Sequence, residues 1–122
     1  MEAVLIDTSV LIGRFHREPR ALAALERIGD AGLLLCDAVV AEVLACTRNK
    51  AEYATTKREL MAHFHVLPLN PEVSQSFRTI LDNVQLGRDI HFAEQLIAAT
   101  AMDHDVPLLT LNTKHFKGLR LA

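Results

Sequence analysis

Little in this chain could hold a small protein together without a hydrophobic core. It has two cysteines in 122 residues, Cys36 and Cys46, and they form no CxxC pair. A disulfide scaffold is therefore excluded, and both thiols are expected to be buried small hydrophobes. Five glycines and four prolines are too few for a collagen-like or low-complexity chain. Charge of one sign is also missing: thirteen basic and fifteen acidic residues leave a formal charge of −2, so any basic surface for nucleic acid must be local. No apolar run approaches the roughly 18 residues that span a bilayer, the longest candidates being Ala38–Ala41 and Ile97–Met102. Met1-Glu2 leads straight into Ala3–Ile6 without a basic segment or a small-residue cleavage site. That is the pattern of a cytoplasmic protein with no secretion signal and no membrane partner. What is present, 50% hydrophobic and 23% charged residues, predicts one globular domain over residues 1–122.

Val4-Leu5-Ile6 is short, continuous and rich in β-branched residues, as expected of a strand covered on both faces of a parallel sheet, and polar Asp7-Thr8-Ser9 ends it. Pro19 opens a helix in which Ala21, Leu22, Ala24, Leu25 and Ile28 recur, with Gly29 or Gly32 as its stop. Leu33 to Cys36 reads as a second strand, and Ala38 to Leu44 as a helix capped by Asp37. Residues 51–62 predict a further helix, and His63 to Leu69 a short third strand. Asn70-Pro71 starts a helix with Val73, Phe77, Ile80, Leu81 and Val84 along one face, broken at Gly87. Asp89 to Met102 is expected to be the next helix, Val106 to Leu111 the fourth strand, and Leu119 to Leu121 a last short one. Such alternation predicts an α/β fold with a parallel sheet and helices on both faces. Ligands of such sheets bind beyond the carboxyl ends of the strands.

The polar residues at that edge are Asp7 after the first strand, Glu42 in the helix after the second, Glu94 early in the helix before the last long strand, and Asn112 after it. An acid among apolar neighbours costs several kcal/mol unless it is paired, and Glu42 and Glu94 both sit in otherwise apolar helices. A shared hard cation would explain them: Mg²⁺ and Mn²⁺ take oxygen ligands, keep several waters and are typically held by one or two carboxylates and a substrate phosphate. The simpler alternative for each acid is a solvated helix residue favoured by the helix dipole.

The segments Val4–Ile12, Cys36–Glu42, Glu94–Ala101 and Leu109–Phe116 together resemble the PIN domain, specifically the VapC-type toxins of bacterial toxin–antitoxin pairs. The resemblance covers essentially the whole chain. It implies a three-layer α/β/α domain with a central mostly parallel sheet, and a Mg²⁺- or Mn²⁺-dependent endoribonuclease acting on structured RNA such as tRNA or rRNA. It also implies a homodimer inhibited by a cognate VapB-type antitoxin. By position, Asp7 matches the main metal ligand, Glu42 the second acid, Glu94 the third and Asn112 the polar residue after the final long strand. Thr8 or Ser9 matches the hydroxyl that steadies a ligand or water. In this family the third acid is usually Asp; with Glu94 in its place, weaker metal binding, a water-bridged ligand or help from Asp89 are the open alternatives.

Arg14, Arg17 and Arg20 follow the first strand, and Lys114, Lys117 and Arg120 lie near Asn112. Arg14 and Lys114 are the leading candidates to hold RNA phosphates. His63 and His65 would share a face if both lay on a strand, but two ligands without a third do not make a zinc site. His91, one turn before Glu94, and His115, after Asn112, either contact substrate, orient a carboxylate or serve structure alone. The competing class is a PIN-like binding module without useful catalysis. A receiver or phosphoryl-transfer domain is disfavoured because no acidic pair precedes Asp7 and no GxxxxGK[ST] loop exists.

Overall fold

The computed structural model describes residues 1–83 and 91–122. Its elements run in the order β1 (Ala3–Ile6), α1 (Thr8–Phe15), α2 (Pro19–Arg27), β2 (Gly32–Cys36), α3 (Asp37–Ala45), α4 (Lys50–His63), β3 (His65–Leu67), α5 (Pro71–Leu81), α6 (Phe92–His104) and β4 (Leu108–Leu109). One turn of 3-10 helix, Thr113–Phe116, follows. The four strands form a single sheet in the order β3-β2-β1-β4, and every pairing is parallel. Val4, Leu5 and Ile6 are completely buried. Since alternate side chains of a strand face opposite sides, β1 must be covered on both faces, which is the expected three-layer arrangement.

Local sequence explains most of the helices. Asn49 and Asn70 cap α4 and α5, their side chains accepting the backbone N–H groups of Glu52 and Val73 at 2.8 Å each. Pro19 and Pro71 occupy first-turn positions where a missing N–H costs nothing. Ala21, Ala24 and Ile28 form the buried stripe of α2, and Gly29, at φ +62°, ends it in the left-handed region that favours glycine.

Several boundaries differ from the sequence expectation. Asp7-Thr8-Ser9 does not merely end a strand: it opens α1, a helix the composition gave no reason to expect. Asp37 is the first residue of α3 rather than its cap, a position held by Cys36. His63 is the last residue of α4 and His65 the first of β3, so the two do not share a strand face. β4 is confined to Leu108–Leu109, because the N–H of Val106 is taken by Ala101 O at the end of α6 and Thr110 is drawn into other bonds. The last expected strand is reduced to one bridge between Leu121 and Leu108. Cys36 is buried as expected, whereas Cys46 is exposed. The expected contribution of Val84, the break at Gly87 and the start of a helix at Asp89 lie outside the described residues.

Helices α1 and α2 meet at Gly13, where an added Cβ would stand 2.6 Å from Ala21 Cβ and 3.1 Å from Glu18 Oε2. Alanine gains roughly 1 kcal/mol of helix propensity over glycine, but overpacking costs roughly 1–3 kcal/mol, so overpacking wins. Gly13→Ala is expected to destabilise the chain by about 1 kcal/mol, read as a lower urea midpoint at unchanged slope. A raised midpoint would show that α1 and α2 separate freely.

Candidate active site

The sheet reverses its order between β1 and β4. From β1 the chain moves outward to β2 and β3, whereas β4 is reached only on the return from β3. Carboxyl ends that flank such a reversal border the crevice where open parallel sheets bind ligands. Asp7 follows β1 there, and Thr110 and Asn112 follow β4.

Asp7 is 3% exposed and stands at the N-cap of α1, yet its side chain makes no cap bond. The Val10 N–H goes instead to the Asp7 backbone oxygen at 3.1 Å. The carboxylate turns toward β4 because the register pairs Leu5 with Leu108 and Ile6 with Leu109, which brings Thr110 beside Asp7. Thr110 Oγ1 and Ser9 Oγ each donate to Oδ2 at 2.7 Å. Both hydroxyls are themselves oriented: Ser9 Oγ accepts the Leu111 N–H at 3.0 Å, and Thr110 Oγ1 accepts the Asn112 N–H at 2.9 Å. Thus Oδ2 is held by two aimed hydroxyls. Among the described residues no Lys, Arg or His forms an ion pair with Asp7.

Glu42 is exposed rather than buried in its apolar helix, so its position needs no partner to offset a desolvation cost. Its Oε1 accepts a 2.6 Å bond from Thr8 Oγ1, which tethers it beside the residue next to Asp7. Glu94, with a side chain 21% exposed, lies in the first turn of α6. Its Oε2 is 2.6 Å from His115 Nδ1, and its Oε1 is 3.4 Å from His91 Nδ1. Asn112 is exposed and caps the 3-10 turn without a side-chain bond, leaving its amide open to solvent. Asp89 lies outside the described residues.

No three His, Cys, Asp or Glu residues among those described stand close enough together to hold one ion directly. The donor set nevertheless suits a hard cation. Its first member is a buried carboxylate that needs a positive partner and finds none among the described residues, and Mg²⁺ uses one or two direct carboxylates and completes its shell with water.

Of the basic residues, Lys114 is exposed two residues beyond Asn112, and Arg14 is exposed seven residues along from Asp7 near the end of α1. Arg20 bonds Leu111 O at 3.3 Å, close to the site. Arg120 does not join this edge: it bonds Asp105 O at 2.8 Å and lines a cleft with Met1 and Glu2, at the amino ends of the strands. Thr110 is the participant that composition did not single out. The signal was available in a lone hydroxyl closing the apolar run Leu108-Leu109, but its meaning depends on β4 pairing with β1. Cys36 ends β2 at the same edge of the sheet, but its thiol is completely buried and burial pushes it above its ordinary range, in keeping with an unreactive core residue.

The PIN domain family model matches residues 4–120. The chain belongs to the PIN-domain family. It is 30% identical over 120 residues to Ribonuclease VapC of Rickettsia bellii (strain RML369-C), covering 95% of this chain and 90% of that protein, so the likeness reaches the VapC-type members. Among solved structures, FitAcB from Neisseria gonorrhoeae superposes with a TM-score of 0.74 at 26% identity, covering 93% of this chain and 90% of that one. DNA-bound VapBC from Salmonella typhimurium gives a TM-score of 0.81 at 15% identity over 100% and 98% of the two chains, which speaks for the fold alone. The parallel sheet and flanking helices expected from the sequence are therefore those of a PIN domain. Among the described residues no helix is long and apolar enough to cross a membrane.

Proposed function

We propose that this PIN domain is a Mg²⁺- or Mn²⁺-dependent endoribonuclease, the toxin of a toxin–antitoxin pair, cutting structured RNA of the tRNA or rRNA kind. The observation that carries this reading is Asp7, a nearly buried carboxylate at the sheet reversal, held by two hydroxyls on one oxygen. Asp7 would be the direct metal ligand, with Glu94 and Glu42 completing the site directly or through water. When bound, the cation lowers the pKa of a coordinated water and offsets charge developing on the phosphodiester oxygens. Thr110 and Ser9 fix the Asp7 carboxylate so that no reorganisation is needed during reaction. Thr8 keeps Glu42 near Asp7, the Asn112 amide would bond substrate, and the exposed Arg14 and Lys114 would take RNA phosphates along its path.

The partners follow the same reading. The likeness to Ribonuclease VapC, on a fold that the Salmonella and Klebsiella pneumoniae neighbours use within a VapBC and a toxin–antitoxin complex, makes a VapB-type antitoxin the inhibitor proposed here. A homodimer would bring two sets of local basic residues to one RNA and offset the acidic whole.

Water attacking phosphorus in line breaks the bond to the 3′ oxygen, which leaves as a hydroxyl while the other fragment keeps a 5′-phosphate. End-group analysis of cleaved RNA is expected to show 5′-phosphate and 3′-hydroxyl ends. A 2′,3′-cyclic phosphate would contradict the proposal, because it requires attack by the neighbouring ribose hydroxyl rather than by water.

A further inference from the structure

Two histidines converge on Glu94 from different parts of the chain. His115, in the 3-10 turn after β4, places Nδ1 2.6 Å from Glu94 Oε2. His91, which precedes α6, brings Nδ1 to 3.4 Å from Oε1. The two rings stack with centroids 5.8 Å apart and planes 17° from parallel, within the usual range of paired rings. A glutamate side chain has three rotatable bonds and pays for immobilisation in lost rotamer entropy. A first-turn acid on an exposed helix end needs no such partner for its helix-dipole role. A carboxylate that must meet an octahedral ion does, since that ion tolerates displacement poorly.

We infer that His115 is a positioning residue for the nuclease site: its Nδ1–H donates to Glu94 Oε2 and holds the carboxylate in one orientation in the cleft that the two residues line together. His91 stacks on the His115 ring and limits its rotation. The inference rests on the metal-dependent reading above and adds to it the residue that makes the flexible Glu94 a usable ligand. A carboxylate can only accept here, so the donor must be the Nδ1–H.

The test is a titration of the full-length chain with Mn²⁺, followed by the paramagnetic resonance of the free ion, for wild type, Asp7→Asn, His115→Ala, His115→Gln and His115→Asn, all at one pH. Asparagine places its amide nitrogen as many bonds from Cα as Nδ1, whereas glutamine reaches the place of Nε2. Loss of a hydrogen-bond partner behind a metal ligand typically costs 10–100-fold in affinity. Mn²⁺ affinity is therefore expected to fall about tenfold or more in the alanine and glutamine variants and to stay near wild type in the asparagine variant, a rescue that a merely structural role would not give. If all three His115 variants bind like wild type, or asparagine binds as poorly as alanine, the positioning role is overturned while the metal site stands. If wild type binds no Mn²⁺, or Asp7→Asn binds as well as wild type, the site reading itself fails and the role of His115 fails with it.

Discussion

Asp7→Asn is expected to lower RNA cleavage by about a thousandfold or more and to leave the fold intact. A metal ion contributes several kcal/mol of transition-state charge stabilisation, and each 1.36 kcal/mol is worth a factor of about ten in rate. Removing the central ligand forfeits that contribution. The asparagine side chain has the same shape and keeps an oxygen to accept the bonds from Thr110 and Ser9. It also removes a buried charge that has no cationic partner among the described residues. In EDTA the variant should therefore be at least as stable as wild type in urea. Initial rates on RNA and unfolding curves on the same preparations check both halves. Normal cleavage by a folded Asp7→Asn chain would remove Asp7 from the chemistry, and a collapse of stability would recast it as a structural residue.

The largest stability effect is expected at Leu5→Ala. Leu5 is fully buried at the middle of the sheet, paired with Leu34 of β2 on one side and Leu108 of β4 on the other. Truncating such a leucine removes its transfer free energy and leaves a cavity, about 2–5 kcal/mol together. Small domains hold only about 5–15 kcal/mol in all, so this is a large share. Because β1 sets where Asp7 stands, activity should decline in step with the folded fraction. Equilibrium unfolding in urea measures it, and a loss below about 1 kcal/mol would mean that the β1 environment is less tightly packed than the burial of Leu5 indicates.

β1 and β2 were legible in the sequence because they are uninterrupted apolar runs followed by helical periodicity, β3 through alternation, and Asn70-Pro71 announced α5 through capping chemistry together with its apolar face. The short helix α1 was not. Asp7-Thr8-Ser9 has turn-forming composition, and only in the folded chain does it become clear that the Asp7 side chain declines the cap and turns to β4. The fourth strand was overestimated for a related reason: hydrophobicity marks what is buried, and Val106 and Leu111 pack against the core while their backbones bond elsewhere.

The same distinction runs through the site. Asp7, Glu42, Glu94 and Asn112 are recognisable as acids and an amide near strand ends, since that depends on local order. Thr110 was not, because its bond to Asp7 spans 103 residues and exists only through the β1–β4 register. Glu42 shows the limit of inferring burial from neighbours: on α3 its face is exposed although Val39, Val40, Val43 and Leu44 are buried. The basic residues near Asn112 likewise divide, since the chain turns back after Phe116 and carries Arg120 to Asp105 at the opposite end of β4.

The most direct test is to incubate total RNA with the purified chain, free of antitoxin, in EDTA, Mg²⁺ and Mn²⁺, with Asp7→Asn and Glu94→Gln alongside. Discrete fragments that appear only with metal and only in the wild type are the predicted result. Cleavage that persists in EDTA or in Asp7→Asn would contradict a metal site centred on Asp7. A wild-type chain inert under every metal at high enzyme would mean that this PIN domain acts by binding rather than by cutting.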